Sequence, residues 1–194
     1  DDSSTDNSRK ILENYKKDNE IKLILSDQNK GKGYSVKQGL KEATGDIILI
    51  QDADLEYSPS DYNNLIEPIL NNHADVVYGS RFVGAQETRV LYFWHTIGNK
   101  FLTLLSNMFT NLNLTDMECC YKVFKKDVIK NINLKEDGFG FEPEVTAKIS
   151  KKNLKIYEVG VKYFGRKYEE GKKITWKDGL AAIYFIIYYN LKKN

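Results

Sequence analysis

Apolar and polar positions change period several times along this chain. Residues 47–50, Ile-Ile-Leu-Ile, form a continuous apolar run of strand length that ends abruptly in polar residues, the pattern of a strand buried on both faces. Residues 21–25 also read as a strand, and a helix over about residues 8–17 precedes it. Residues 33–43 carry a helical pattern between the two strands. A further helix begins near Pro59, where Ser58 can cap and proline suits the first turn. Residues 75–79 form a short strand that delivers Ser80 and Arg81 to its end. The second half predicts a helix over 92–110, a strand-like 120–124, a helix from about Lys125, a glycine-aromatic loop at 138–141, a helix over 143–151, a strand over 155–163 and a basic loop at 164–173. Alternating helices and strands argue for an α/β architecture, a mainly parallel central sheet with helices on both faces.

The opening residues, Asp1-Asp2-Ser3-Ser4-Thr5-Asp6, have the look of the carboxyl end of a strand whose apolar body does not precede them. The sheet is therefore expected to lack its first strand. With no internal repeat and no low-complexity linker, residues 1–194 read as one domain, long enough to bury a sizeable core.

Composition narrows the partners. The net charge of +2 leaves no electrostatic footprint for nucleic acid. Cys119 and Cys120 are adjacent, which fits neither a zinc spacing nor a disulfide framework, so they read as reduced core residues in a cytosolic setting. No signal peptide opens the chain. The helix at 92–110 carries His95, Asn99, Lys100 and Asn107 and so reads as amphipathic rather than membrane-spanning. The apolar run at 179–189, followed by Lys192 and Lys193, is shorter than the ~20 residues a bilayer core requires. Two readings stay open for the segment 176–190: an interfacial helix with aromatic and lysine anchors, or a helix docked on the core.

The candidate chemistry begins where 47–50 ends. Open α/β sheets bind ligands at the carboxyl ends of their strands. In extended chain residues i and i+2 point the same way, so Asp52 and Asp54 can aim their carboxylates at one point while Ala53 turns aside, and Glu56 continues the alternation. Hard oxygen ligands that converge suit Mg²⁺ or Mn²⁺. A polar exit from a strand is the alternative reading.

Seven blocks in order resemble family 2 glycosyltransferases of the GT-A (nucleotide-diphospho-sugar transferase) fold, in the dolichol-phosphate mannosyltransferase and polyprenyl-phosphate glucosyltransferase branch. They are Asp1 to Asp6, Asn29-Lys30-Gly31-Lys32-Gly33, Gly45-Asp46 through Asp52-Ala53-Asp54-Leu55-Glu56, Gly79-Ser80-Arg81-Phe82, Asp116 with Tyr121-Lys122-Val123-Phe124, Gly138 to Glu144, and Gly165-Arg166 to Lys173. The Pro-x-Tyr-Asn-Glu-like motif that opens such proteins is not in this chain.

The resemblance implies a UDP- or GDP-hexose donor. Asp2 would accept from the base edge, with helix capping as the rival role for its cluster. Asn29, Gly31 and Lys32 would form a tight loop near the nucleotide, and Arg166 and Lys173 would close over the diphosphate. Asp52, Asp54 and Glu56 would hold the metal, with Glu56 standing where relatives often carry glutamine. Arg81, Arg89 and His95 match the region that receives the acceptor's phosphate. A polyprenyl phosphate can attack without a strong base. A sugar hydroxyl would need one, for which Glu144 is the first candidate and Glu142 and Asp116 the next. The implied activity is transfer with inversion onto a polyprenyl phosphate by a protein peripheral to the cytoplasmic face of a membrane. Transfer to a saccharide hydroxyl in glycan assembly, a non-catalytic nucleotide-binding module and a nucleotidyltransferase are the rivals.

Overall fold

The computed structural model describes residues 1–18, 20–84, 86–172 and 175–192. Four strands form the sheet: β1 (Ile47–Ile50), β2 (Val76–Ser80), β3 (Lys122–Lys125) and β4 (Ile156–Gly160), in the order β1-β3-β2-β4. β2 and β4 pair in parallel, whereas β3 runs antiparallel to both β1 and β2. Three strands thus share one direction and β3 is inserted against them, with Phe124 opposite Ile48 on one side and Val76 on the other.

The two-residue period of the strands sorts their side chains onto two faces. Ile48, Ile50, Val76, Tyr78 and Phe124 point to one face, and Ile47, Leu49, Val77 and Val123 to the other. The first face is covered by helices α2 (Lys32–Glu42), α4 (Phe93–Thr110), α5 (Lys126–Lys130), α6 (Phe141–Ser150) and α7 (Trp176–Leu191). The second is covered by α3 (Tyr62–Leu70), whose Leu65 and Ile69 are buried. α1 (Ser8–Glu13) buries nothing, and the predicted helix at 8–17 divides there into α1 and a 3₁₀ turn, Asn14–Lys17. Ser58 caps as expected, accepting from the Ser60 N–H at 3.3 Å, but Pro59 opens a 3₁₀ turn, Pro59–Asp61, ahead of α3.

Residues 21–25 form no strand among the described residues. The Ile21 N–H turns back to Asp18 O, the Asp1 amino group donates to Ile24 O and the Asp1 carbonyl accepts from Ser26 N–H, and no ladder develops. In α7, Ala182, Ile186 and Tyr189 are buried against the core, while Trp176, Leu180, Tyr184, Ile187 and Leu191 are exposed. Among the described residues no helix is long and apolar enough to cross a membrane.

Candidate active site

The chain leaves β1 at Ile50 in a tight turn whose shape is fixed by its neighbours. The Asp52 N–H donates to Cys120 Sγ at 3.0 Å, and the hydroxyls of Tyr121 and Tyr62 donate to the Gln51 side chain. Leu55 takes a left-handed conformation at φ 61°, and the Glu56 N–H turns back to Asp54 Oδ1. These contacts hold three carboxylates at the carboxyl end of the strand.

Each carboxylate already has a basic partner. Lys32 Nζ, at the start of α2, lies 2.9 Å from Asp52 Oδ2 and 2.6 Å from Glu142 Oε1. Burial alone would lower the Lys32 pKa, but the Glu142 and Asp52 carboxylates outweigh it and hold the ammonium firmly protonated. Arg166 donates to Asp54 Oδ2 at 2.9 Å and to Glu56 Oε1 at 3.0 Å, and Tyr163 OH donates to Glu56 Oε2. Desolvation and then the nearby Glu56 and Asp52 charges push the Asp54 carboxyl upward, with Arg166 acting against them.

Among the described residues no three His, Cys, Asp or Glu side chains are arranged to hold an ion together. Arg166 and Tyr163 engage both oxygens of Glu56. Asp52 and Asp54 keep the character a hard cation wants, oxygen donors whose mutual charge is relieved by positive groups.

Arg81 follows β2 and is locked by Asp116, with Nε to Oδ2 at 2.6 Å, NH2 to Oδ1 at 2.7 Å and its own N–H to Oδ2 at 3.0 Å. Asn99, with its amide assigned by its neighbours, bridges the same pair from α4. Burial opposes the guanidinium charge and Asp116 overrides it. The other two residues expected beside Arg81 are engaged elsewhere: Arg89 pairs with Glu170 at 2.7 Å, and His95 Nε2 meets Tyr168 OH at 2.8 Å. The two contacts tie α4 and the segment just before it to the 164–172 loop.

Other expectations change as well. Both Asp2 oxygens accept backbone N–H groups, from Lys30 at 2.9 Å and Gly31 at 2.6 Å, so Asp2 latches the 29–33 loop rather than presenting a free carboxylate to a base. Asn29 donates to the Asp2 carbonyl. Gly31 sits at φ 100°, where an added Cβ would lie 2.7 Å from the Asp137 carbonyl oxygen. Glu144 is a structural carboxylate: it is 0% exposed, accepts from the Lys135 and Glu136 N–H groups at 2.7 and 2.8 Å, and pairs with Lys148. Glu142, two residues earlier on α6, is the one that turns to the Asp52 side of the cleft. Lys173, and Lys193 near the chain end, lie outside the described residues.

Sequence reasoning passed over Glu118. Burial first, and then the Glu142 carboxylate, push it up to about 7, and its Oε1 is buried without a partner. Its only signal in sequence was a place two residues beyond Asp116.

The family model for Glycosyl transferase family 2 matches residues 1–132. A UDP-N-acetylglucosamine–dolichyl-phosphate N-acetylglucosaminyltransferase of Methanococcus voltae is 28% identical over 211 residues, covering 100% of this chain and 84% of that protein. A dolichol-phosphate mannosyltransferase of Pyrococcus furiosus is 27% identical over 180 residues, covering 90% of this chain, which spans only 50% of that protein. The solved structure of glucosyl-3-phosphoglycerate synthase from Mycobacterium tuberculosis, in complex with Mn²⁺, UDP and phosphoglyceric acid, superposes with a TM-score of 0.68 at 15% identity, over 99% of this chain and 66% of that one. That likeness shows the fold, GT-A, with its mixed α/β layers.

Proposed function

The chain belongs to glycosyl transferase family 2, and from that premise we propose that it moves a hexose from a nucleoside-diphosphate sugar to a polyprenyl phosphate, with inversion, at the cytoplasmic face of a membrane. The observation that carries the reading is the pair Asp52 and Asp54 at the carboxyl end of β1, each neutralised by a basic side chain. Asp52 and Asp54 would hold Mg²⁺ or Mn²⁺, while Glu56 stays with Tyr163 and Arg166. Such a cation supplies positive charge to a diphosphate as it departs. Support for a UDP-type donor and for a divalent metal comes from structural neighbours solved with Mn²⁺ and UDP or UDP-glucose. Support for the lipid acceptor comes from relatives named for dolichyl phosphate.

The chain's own residues then have distinct tasks. Arg166 turns its guanidinium fork from Asp54 to the donor's phosphate oxygens, a group that matches it in a bidentate manner. Arg81, rigid against Asp116 and Asn99, orients the acceptor phosphate. A phosphate monoester is mostly dianionic near neutral pH, so its oxygen attacks the anomeric carbon directly. The bond from that carbon to the diphosphate breaks, the nucleoside diphosphate leaves, and no protein base is required. Residues 1–194 act as one catalytic domain, and the outward faces of α4 and α7 meet the membrane that carries the acceptor.

The test is transfer of labelled hexose from UDP- and GDP-sugars to a short polyprenyl phosphate in vesicles with Mn²⁺. Asp52→Asn and Asp54→Asn are expected to cut turnover by about 10³-fold or more, of the order seen when a charge-stabilising group is removed, with the fold intact by circular dichroism. Chelation of the metal gives the same loss. Folded variants that transfer as well as the unmodified protein would overturn the reading.

A further inference from the structure

Between the donor-side carboxylate Asp52 and the acceptor-side Arg81 runs a line of charged groups: Asp52, Lys32, Glu142, Glu118, Asp116 and Arg81. If diphosphate binds at one end and acceptor phosphate at the other, the hexose passes over the middle. The middle holds two unusual atoms. Glu142 is 3% exposed and spends Oε1 on Lys32, while its Oε2 is buried with no hydrogen-bond partner. Glu118 Oε1 is likewise buried and unpartnered, and Glu142 is its strongest charged neighbour.

Cations lie nearby, yet each is committed elsewhere. Lys122 Nζ donates to the carbonyls of Met117 and Cys119, and Arg81 is taken by Asp116. Leaving a buried acceptor unmade costs about 1–3 kcal/mol, more for a charged group. Two such atoms, on residues whose charges act on each other, call for a ligand that brings hydroxyl donors.

We propose that Glu118 and Glu142 form a hydroxyl-reading pair, whose open oxygens accept hydrogen bonds from ring hydroxyls of the transferred hexose and so select the donor sugar. The proposal rests on the transferase reading above and adds the sugar subsite to it. A hexose suits the geometry because adjacent ring hydroxyls present two O–H donors at short spacing, and a hydroxyl can also accept when its partner is protonated. Glu118, pushed up to about 7, changes between those two roles near neutrality.

Glu118→Gln and Glu142→Gln test it, with binding to UDP and GDP alone and to UDP-glucose, UDP-N-acetylglucosamine and GDP-mannose followed by calorimetry in Mn²⁺. The unmodified protein binds at least one sugar donor more tightly than its bare nucleotide. Glu118→Gln is expected to hold the bare nucleotides within about twofold, and each variant to lose about 10–100-fold more for the preferred donor than for its bare nucleotide, the cost of one charged hydrogen bond. A deoxy donor lacking the read hydroxyl should show that loss in the unmodified protein and little further loss in the variant. Because Glu118 holds no structural bond through Oε1, its variant remains informative even if Glu142→Gln folds poorly. Unchanged donor affinity in a folded Glu118→Gln would overturn the pair, as would a fall in kcat at constant donor KM, which marks a base. Failure of the unmodified protein to bind any sugar donor, by contrast, would remove the transferase reading and this inference with it.

Discussion

Three glutamates within a few residues of the same cleft show how burial assigns different work to one side-chain type. Glu144 receives two backbone N–H groups and Lys148, so its carboxylate holds the 135–136 turn against α6. Glu144→Ala would strand those donors and a lysine in the interior, and an unfolding measurement should show a loss of about 3–5 kcal/mol. A catalytic Glu144 would instead lose turnover at unchanged stability. Glu118 has the opposite balance. It is buried and faces the carboxylates of Glu142 and Asp116, with Lys122 and Arg81 acting against them, and its carboxyl rises from an ordinary 4.5 to about 7. Between those values the folded chain holds a proton that the unfolded chain has released, so Glu118 costs stability progressively as pH rises through that window and costs most above it. Glu118→Gln removes the cost. Denaturation curves should find it more stable than the unmodified protein by about 1–2 kcal/mol at pH 8, allowing for partial solvent screening, with the gap closing toward pH 4.5.

At the scale of elements, the carboxyl end of β1 and the 29–33 loop meet because two turns are conformationally demanding. Gly31 adopts φ 100° with its Cα face against the Asp137 carbonyl, which seats the first turn of α2 and therefore Lys32 beside Asp52. Gly31→Ala should cost about 1–3 kcal/mol in stability and weaken donor binding together, since both depend on that seat. β1 was legible in sequence because four consecutive apolar residues end abruptly in polar ones, and the strand buries Ile48 and Ile50, with Ile47 and Leu49 buried in part; the acidic exit was legible from the same break. The reversed direction of β3 was not, since residues 122–125 pair with β1 and β2 through contacts 44–78 positions away that no local period encodes. Residues 21–25 have strand composition, yet a strand is made by its neighbours, and among the described residues their backbone finds single bonds to Asp1 and Asp18 rather than a partner strand. Arg81 and Arg166 stood out in sequence as guanidinium groups suited to phosphate, while their present partners, Asp116 and the Asp54–Glu56 pair, depend on tertiary approach. Glu118 escaped because an unpartnered oxygen is a property of packing, not of spacing.

On the whole molecule the proposed function would join the polar cleft and the apolar surface in one demand, since a polyprenyl phosphate would bring a charged head to the cleft and a chain that stays in lipid. α4 exposes Trp94, Ile97, Phe101, Leu104 and Met108 at alternating spacings of three and four residues, and α7 exposes Trp176, Leu180, Tyr184, Ile187 and Leu191. Trp94 is 78% exposed and Trp176 72%, a cost in water that an interface with tryptophan and tyrosine at headgroup depth relieves. Replacing Leu180 and Ile187 together by Asp tests this on side chains that carry little of the core. Removing two leucine-sized groups from lipid forfeits about 3 kcal/mol even when each is only partly inserted, so co-sedimentation with anionic vesicles should weaken by about 100-fold. The unfolding midpoint should hold, because both positions face outward, and binding of a nucleotide-sugar in free solution should hold with it. Transfer to vesicle-borne polyprenyl phosphate should fall in parallel with vesicle binding, whereas transfer to a short, water-dispersed prenyl phosphate should not. Equal losses on both acceptors would place these residues in support of the cleft rather than at a membrane, and a change in molecular mass by light scattering would assign the face to a second copy of the chain.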